Sequence, residues 1–173
     1  DLKSFPGREE DRYVLDVQNP EIVFTQGYNA TPVFYNDIDN FMLCSFTCSE
    51  DLISLYNCFD DQEVKDLRLN AFFEAREDEQ YKVAKVVEKV YDCFVIRSAE
   101  LYLNKAEAEA MLDKAEAKQT IKTLLNNRFE GGIPDVDGLN EKDLISFIRD
   151  ERRRELCFEA HRWFDLRRYA VSS

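Results

Sequence analysis

The groups most able to do chemistry concentrate in residues 149–168, which contain seven arginines, five acids and His161, the only histidine of the chain. The net charge of this segment is 7 − 5 = +2, which leaves −14 for the rest of a chain whose total is −12. Glu155, Glu159 and His161 are candidates for general acid/base catalysis. Carboxylates one helical turn apart and flanked by arginines are expected, however, to have lowered rather than raised pKa values.

A structural role for this segment is therefore favoured. At helical spacing, its charged residues lie on the same face as apolar ones, so some of the charges should be buried. An unpaired buried ion costs several kcal/mol, so these charges must pair with one another. Arginine suits such a place because its planar fork binds a carboxylate through two hydrogen bonds. We predict an ion-pair network that locks the segment onto a preceding helix through Glu100. His161 is then a packed or surface histidine, and Trp163 packs in the core.

Nucleic-acid binding is disfavoured by the same charges. The five acids between the arginines leave no uninterrupted basic face, and the whole chain is acidic, with a pI near 4.6. We therefore predict no nucleic-acid partner.

The cysteines do not form a metal-site pattern. Only Cys44 and Cys48 are closely spaced, and zinc sites usually need a second pair of ligands. The odd total of five argues against a complete disulfide framework. Small buried hydrophobic side chains are the favoured interpretation, while a Cys44–Cys48 or Cys48–Cys58 bridge stays open. The loop at residues 131–138 resembles a calcium loop only weakly, because it lacks the late glutamate. We predict no metal and no cofactor.

Composition and periodicity predict a mainly α fold with little β structure. Five glycines and four prolines are too few for a chain of many tight turns. Apolar stripes predict helices over about 94–112 and 114–129, an αα-hairpin of tetratricopeptide-like length that needs stacked neighbours. A third helix is expected from about 141 to 160, with Asn140 as its N-cap.

The chain divides into two parts of different character. Residues 1–94 hold 15 of the 22 aromatic residues and read as an irregular loop and helix region, whereas residues 95–173 read as a helical scaffold. In the first part we expect a helix over 51–59 capped by Ser49 and a short strand from Tyr81. We interpret the two parts as a fragment of one larger domain. The chain opens on Asp1 without a leader, so we expect a processed or excised piece.

Two motifs resemble a known family. Residues 96–108, Ile-Arg-Ser-Ala-Glu-Leu-Tyr-Leu-Asn-Lys-Ala-Glu-Ala, and residues 151–169, Glu-Arg-Arg-Arg-Glu-Leu-Cys-Phe-Glu-Ala-His-Arg-Trp-Phe-Asp-Leu-Arg-Arg-Tyr, are similar to signatures of SusD/RagB-like proteins. They lie in the order and at about the spacing of that family. One departure is Ala160, where the family usually has glycine. An ordinary helical conformation there would tolerate alanine.

The resemblance implies a surface-exposed lipoprotein of the cell outer membrane, held by a lipid anchor that is absent from this chain. Such proteins bind nutrients, usually glycans and sometimes peptides, and deliver them to a TonB-dependent SusC-like transporter without catalysis. It also implies tetratricopeptide-like helix pairs and a loop-rich ligand region.

Aromatic residues near a loop are the natural candidates for glycan contacts, because sugar CH faces stack on aromatic rings. Tyr28, Phe34 and Tyr35, with Asn36 beside them, are the predicted ligand-binding residues. Core packing of these rings is the competing interpretation. The alternative function is a helical-repeat protein–protein interaction adaptor, which predicts an exposed apolar stripe on the first two scaffold helices. An enzyme would need Glu155, Glu159 and His161 to line an open cleft.

Overall fold

The computed structural model describes residues 19–26, 47–57, 59, 64–76, 80–85 and 94–171. Within these residues the fold is mainly α, which confirms the predicted class. The helices are α1 (Glu50–Asn57), α2 (Arg68–Phe72), α3 (Ser98–Met111), α4 (Glu116–Leu125), α5 (Glu141–Glu155) and α6 (Arg162–Val171). Three short antiparallel strand pairs connect distant parts of the chain. They are β1 (Ile22–Gln26) with β5 (Phe94–Arg97), β2 (Lys65–Asp66) with β6 (Phe129–Glu130), and β3 (Phe73–Ala75) with β4 (Tyr81–Val83).

The predicted helix pair corresponds to α3 and α4, which pack against each other, and α3 also packs against α5. Its predicted stripes form the main hydrophobic core, where Leu103, Ile121 and Leu124 are fully buried. Small residues of α3, such as Ala99 and Ala106, allow the close approach. Both helices are shorter than predicted because strands occupy the neighbouring residues: β5 precedes α3 and β6 follows α4.

The N-terminal caps follow the sequence. Asn140 Oδ1 accepts a hydrogen bond of 3.0 Å from the backbone N–H of Asp143 at the start of α5. Ser49 Oγ accepts one of 3.3 Å from the N–H of Leu52 in α1. A second hydrophobic cluster, around Phe72, Phe73 and Tyr56, joins α1 to β3 and to the segment that follows α5.

The predicted helix over 141–160 is wrong beyond residue 155. The chain leaves the helix at Leu156, and Phe158 and Ala160 each have a φ of 63°. Helix α6 then starts at Arg162. Ala160 is therefore left-handed rather than helical, a conformation that favours glycine. Within the described residues, no helix combines the length and apolar character needed to cross a bilayer.

Candidate functional site

A cluster of buried ions lies at the centre of the described structure. It contains five carboxylates and five cations, none more than 3% exposed: Glu21, Asp66, Glu151, Glu155, Glu159, Arg68, Lys85, Arg97, Arg128 and Arg154. We call these ten residues the charged centre. Its formal charges sum to zero, as five negative and five positive side chains must.

Glu155, from the last turn of α5, is the hub of the charged centre. Its carboxylate accepts hydrogen bonds from Arg97 Nη1 at 2.8 Å, from Arg68 Nη1 at 3.0 Å, and from Arg128 Nε at 2.9 Å and Nη2 at 3.0 Å. These donors come from the end of β5, the start of α2 and the residue before β6. One carboxylate thus joins three separate segments to α5.

The other carboxylates complete the pairing of the same arginines. Glu21 accepts from Arg97 at 2.9 Å and from Arg128 at 2.6 Å. Glu159 accepts from Arg97 Nε and Nη2, both at 2.8 Å. Charge-assisted pairs of this geometry offset the cost of removing ions from water.

The cations of the centre also hold the end of α5. Arg97 Nη2 donates to the Glu155 carbonyl at 2.9 Å, and Lys85 Nζ donates to the carbonyls of Glu155 at 2.6 Å and Cys157 at 3.1 Å. The last carbonyls of a helix lack partners within the helix, so these donors satisfy groups that would otherwise be buried and unpaired. The termination of α5 is therefore built into the charged centre.

The electrostatics of the centre keep its carboxylates ionised. Burial alone would raise the pKa of Glu155, but the nearby charges of Arg128, Arg97 and Arg68 hold it well below its usual range. At Glu151 and Glu159, burial is likewise outweighed by arginine charges, and both pKa values are lowered. The predicted direction of these shifts is confirmed. A saturated, buried carboxylate with a lowered pKa is poorly suited to general acid catalysis.

His161 does not join Glu155 and Glu159 in an open cleft. Burial lowers the pKa of His161 despite the opposing charge of Glu100, whose carboxylate lies 3.8 Å from His161 Nε2. The geometry required for an acid/base site by these three residues is therefore not met.

The predicted ion pairs between residues 149–168 and α3 are present, but Glu100 is not their main carboxylate. Glu107 accepts from Arg149 at 3.2 Å and from Arg168 at 2.6 Å, whereas Glu100 lies 3.9 Å from Arg152. The sequence prediction also missed Arg68 and Arg128. Each is an isolated arginine, separated along the chain from Glu155 by 87 and 27 residues respectively.

A surface depression of about 500 Å³ lies between the start of α1 and the turn from α5 to α6. We call it the α1–α6 depression; its lining consists of Thr47, Cys48, Ser49, Leu52, Arg152, Arg153, Leu156, Cys157, Phe158, Ala160, His161, Arg162, Trp163 and Asp165. Cys48 and Cys157 are free thiols. Burial raises the pKa of the Cys48 thiol to about 12, so this group is neutral at physiological pH.

Trp163 is a rim residue of this depression, and the prediction that it packs in the core is wrong. Trp163 is 67% exposed and lies in α6, the helix that follows the turn at residues 156–160. Phe164 of the same helix is 65% exposed.

The predicted ligand-binding residues Tyr28, Phe34, Tyr35 and Asn36 lie outside the described residues, and so do Cys44 and Cys58. In the described loop at 131–138, Asp137 accepts a hydrogen bond of 2.6 Å from Lys122 Nζ.

Comparison with known proteins identifies the fold first. Two solved structures, each with a TM-score of 0.57, share it: a SusD-like protein from Bacteroides fragilis and a SusD-like carbohydrate binding protein from Bacteroides vulgatus. They are 20% and 22% identical to this chain, cover 89% and 87% of it, and are themselves covered over only 44% and 34% of their lengths.

The sequence comparisons agree with the fold. The SusD family model matches residues 88–173. SusD-like protein P38 of Formosa agariphila is 40% identical over 79 residues, which are 42% of this chain and 16% of that protein. The predicted resemblance is thus confirmed over residues 88–173, which match the SusD family. The chain spans less than half the length of each of these relatives.

Proposed function

We propose that this chain is part of a non-catalytic binding protein that captures extracellular nutrients, most simply glycans. The observation that carries the proposal is the SusD family match over residues 88–173. The similar structure from Bacteroides vulgatus, which is described as a carbohydrate binding protein, supports the choice of ligand.

A non-catalytic role accords with the charged centre. The acids of the family signature, Glu151, Glu155 and Glu159, are buried and bound to cations. In our proposal they maintain the architecture, and the ligand binds elsewhere.

For the ligand contacts we propose Tyr28, Phe34 and Tyr35 as stacking platforms, with the Asn36 amide binding sugar hydroxyls. An aromatic ring contributes dispersion and CH contacts to a pyranose face, and an amide supplies both a donor and an acceptor.

A glycan panel tests these assignments. Affinities should be measured by calorimetry on the protein at its full natural length, for the wild type, Tyr35→Ala and Tyr35→Phe. We expect Tyr35→Ala to lower affinity about tenfold, or about 1.4 kcal/mol. Tyr35→Phe, which keeps the ring, should retain most of it. Glycan binding unchanged in Tyr35→Ala would refute the ligand assignment, and no binding to any glycan would refute the proposed ligand class.

We further propose that the protein is a surface-exposed lipoprotein of the outer membrane that delivers its ligand to a TonB-dependent SusC-like transporter. Protease treatment of intact cells tests the location, with a periplasmic protein as the protected control. Co-purification of the transporter with the tagged protein tests the partnership. Recovery of the protein without the transporter under mild extraction would contradict it.

The adaptor function is kept as a second candidate because apolar side chains outside the predicted stripes are exposed. Leu101, Met111 and Leu112, on α3 and at its C-terminal end, are 50%, 53% and 69% exposed. The predicted stripes of α3 and α4 are themselves buried, so the exposed stripe that an adaptor requires is not found where it was predicted. Binding of a protein partner that Met111→Glu abolishes, together with absence of glycan binding, would favour the adaptor.

A further inference from the structure

The α1–α6 depression has the size and lining of a ligand site. Its volume of about 500 Å³ falls in the range of about 300–1,000 Å³ typical of small-molecule pockets. Its apolar wall includes Leu52, Leu156 and Phe158, and polar groups lie among them. That combination of an apolar wall with a few polar groups is common where small molecules bind.

Three arginines line the depression, and two of them are already paired. Arg152 Nε lies 2.9 Å from both carboxylate oxygens of Asp165, and Arg153 Nη2 lies 2.5 Å from Asp51. Arg162 is exposed and, within the described part of the chain, makes neither a hydrogen bond nor an ion pair; the Asp51 carboxylate interacts with its charge but is hydrogen-bonded to Arg153. Arg162 is thus the lining arginine whose guanidinium is available to an incoming anion.

The neighbour of this cation is an accessible indole. Trp163, also on the rim, exposes two thirds of its side chain. The rings of Tyr56 and Phe73, by contrast, are buried and pack edge to face in the core. An indole offers a flat surface for the CH face of a pyranose, and the adjacent guanidinium offers paired donors for a carboxylate or sulfate.

Two further polar groups can contact sugar hydroxyls. Ser49 lines the depression, and its Oγ accepts a backbone hydrogen bond, so its own hydroxyl proton remains for donation. His161 lines the same wall. These groups would fix the orientation of a bound ring.

We propose that the α1–α6 depression binds an anionic pyranose, a sugar that carries a carboxylate or a sulfate, with its ring on Trp163 and its charge on Arg162. This inference rests on the proposed glycan-binding function and adds both a site and a ligand charge. A neutral sugar would remove water from the Arg162 guanidinium without supplying a negative charge. Burying a cation without a counterion is unfavourable.

The test measures binding of three oligosaccharide sets to the protein at its full natural length: neutral hexoses, hexuronates and sulfated hexoses. Wild-type protein should bind at least one anionic set, and its affinity should fall with added NaCl because exposed charges are screened. Arg162→Gln should lower the affinity for the anionic set about tenfold while leaving neutral sugars unaffected. Trp163→Ala should lower it by a similar factor, and Trp163→Phe should restore part of the loss.

Matched controls lie on the same helix. Arg167→Gln removes an exposed arginine and Phe164→Ala an exposed ring, both outside the depression, and neither should change binding. Melting temperatures close to the wild type would show that all five variants are folded.

The outcomes separate this proposal from the one on which it rests. Neutral glycan binding that Tyr35→Ala weakens and Arg162→Gln does not, without any anionic binding, would overturn the depression site and leave the proposed function standing. Anionic binding unchanged in Arg162→Gln and Trp163→Ala would overturn the site as well. Absence of binding to all three sets would overturn both proposals.

Discussion

The charged centre and the α1–α6 depression both include side chains from residues 149–168, and they use the arginines of that segment in opposite ways. In the centre, Arg154 is buried and its guanidinium lies 2.8 Å from the Glu151 carboxylate. At the rim of the depression, Arg162 is exposed and, within the described residues, makes no hydrogen bond or ion pair with a carboxylate. A signature rich in arginine therefore does not indicate a single role. The pairing of each guanidinium decides whether it maintains the fold or remains available to a ligand.

The largest effect is expected from removing the hub of the charged centre. Glu155→Gln replaces a charge bound by three arginines with a neutral amide, so the free energy of unfolding should fall by about 3–5 kcal/mol. Denaturant unfolding followed by circular dichroism measures it. Asp150→Asn, an exposed change on the same helix, should stay within about 0.5 kcal/mol of the wild type. Equal effects of the two substitutions would contradict the hub role.

Acid should destabilise the folded protein through the carboxylates of the charged centre. The folded pKa values of Glu151, Glu155 and Glu159 are lowered, so the unfolded state binds more protons below its own carboxyl pKa of about 4.3. The resulting stabilisation is complete above that pH and is lost as the pH falls through the folded values. Unfolding free energies measured from pH 7 to pH 2 should show this decline. A stability that rises on acidification in this window would refute the assignment.

The turn between α5 and α6 contains backbone strain that a glycine would relieve. Ala160 has a φ of 63°, so Ala160→Gly should relieve a left-handed conformation and stabilise the protein by about 0.5–1 kcal/mol after the entropic cost of glycine. Ala108→Gly, at an exposed position inside α3, should instead destabilise by about 0.5–1 kcal/mol. Thermal unfolding of the pair compares them directly, and the same sign for both would contradict the left-handed assignment.

The smallest stability effect is expected at the rim. Trp163→Ala removes an exposed ring and should change the free energy of unfolding by less than about 0.5 kcal/mol. Leu156→Ala, on the buried wall of the same depression, should cost about 2–5 kcal/mol. A loss of several kcal/mol from Trp163→Ala would mean that this ring packs against other parts of the protein and is not available to a ligand.

Features that depend on nearby residues could be predicted from the sequence, whereas features that depend on distant residues could not. The stripes of α3 and α4 and the Asn140 cap depend on neighbours within a few residues, so periodicity alone predicts them. The partners of Glu155 could not be predicted in that way, because Arg68, Arg97 and Arg128 reach it through tertiary packing. The end of α5 did have a signal: the family usually has glycine at the position of Ala160, and such a glycine often indicates a positive φ. Periodicity also placed Trp163 in the core, since it carries no information about a break in the helix.

The contacts of the charged centre have a consequence for how the chain reaches its folded state. Glu21 and Arg128 are 107 residues apart, and Arg68 and Glu155 are 87 apart. Contacts of such long range form only after much chain entropy has been lost, which slows folding. If one contributing segment has not yet docked, at least one ion of the charged centre is buried without its partner. Partly folded intermediates are therefore not stabilised by burying the remaining ions. We therefore expect a single cooperative transition in which residues on both sides of position 94 become ordered together.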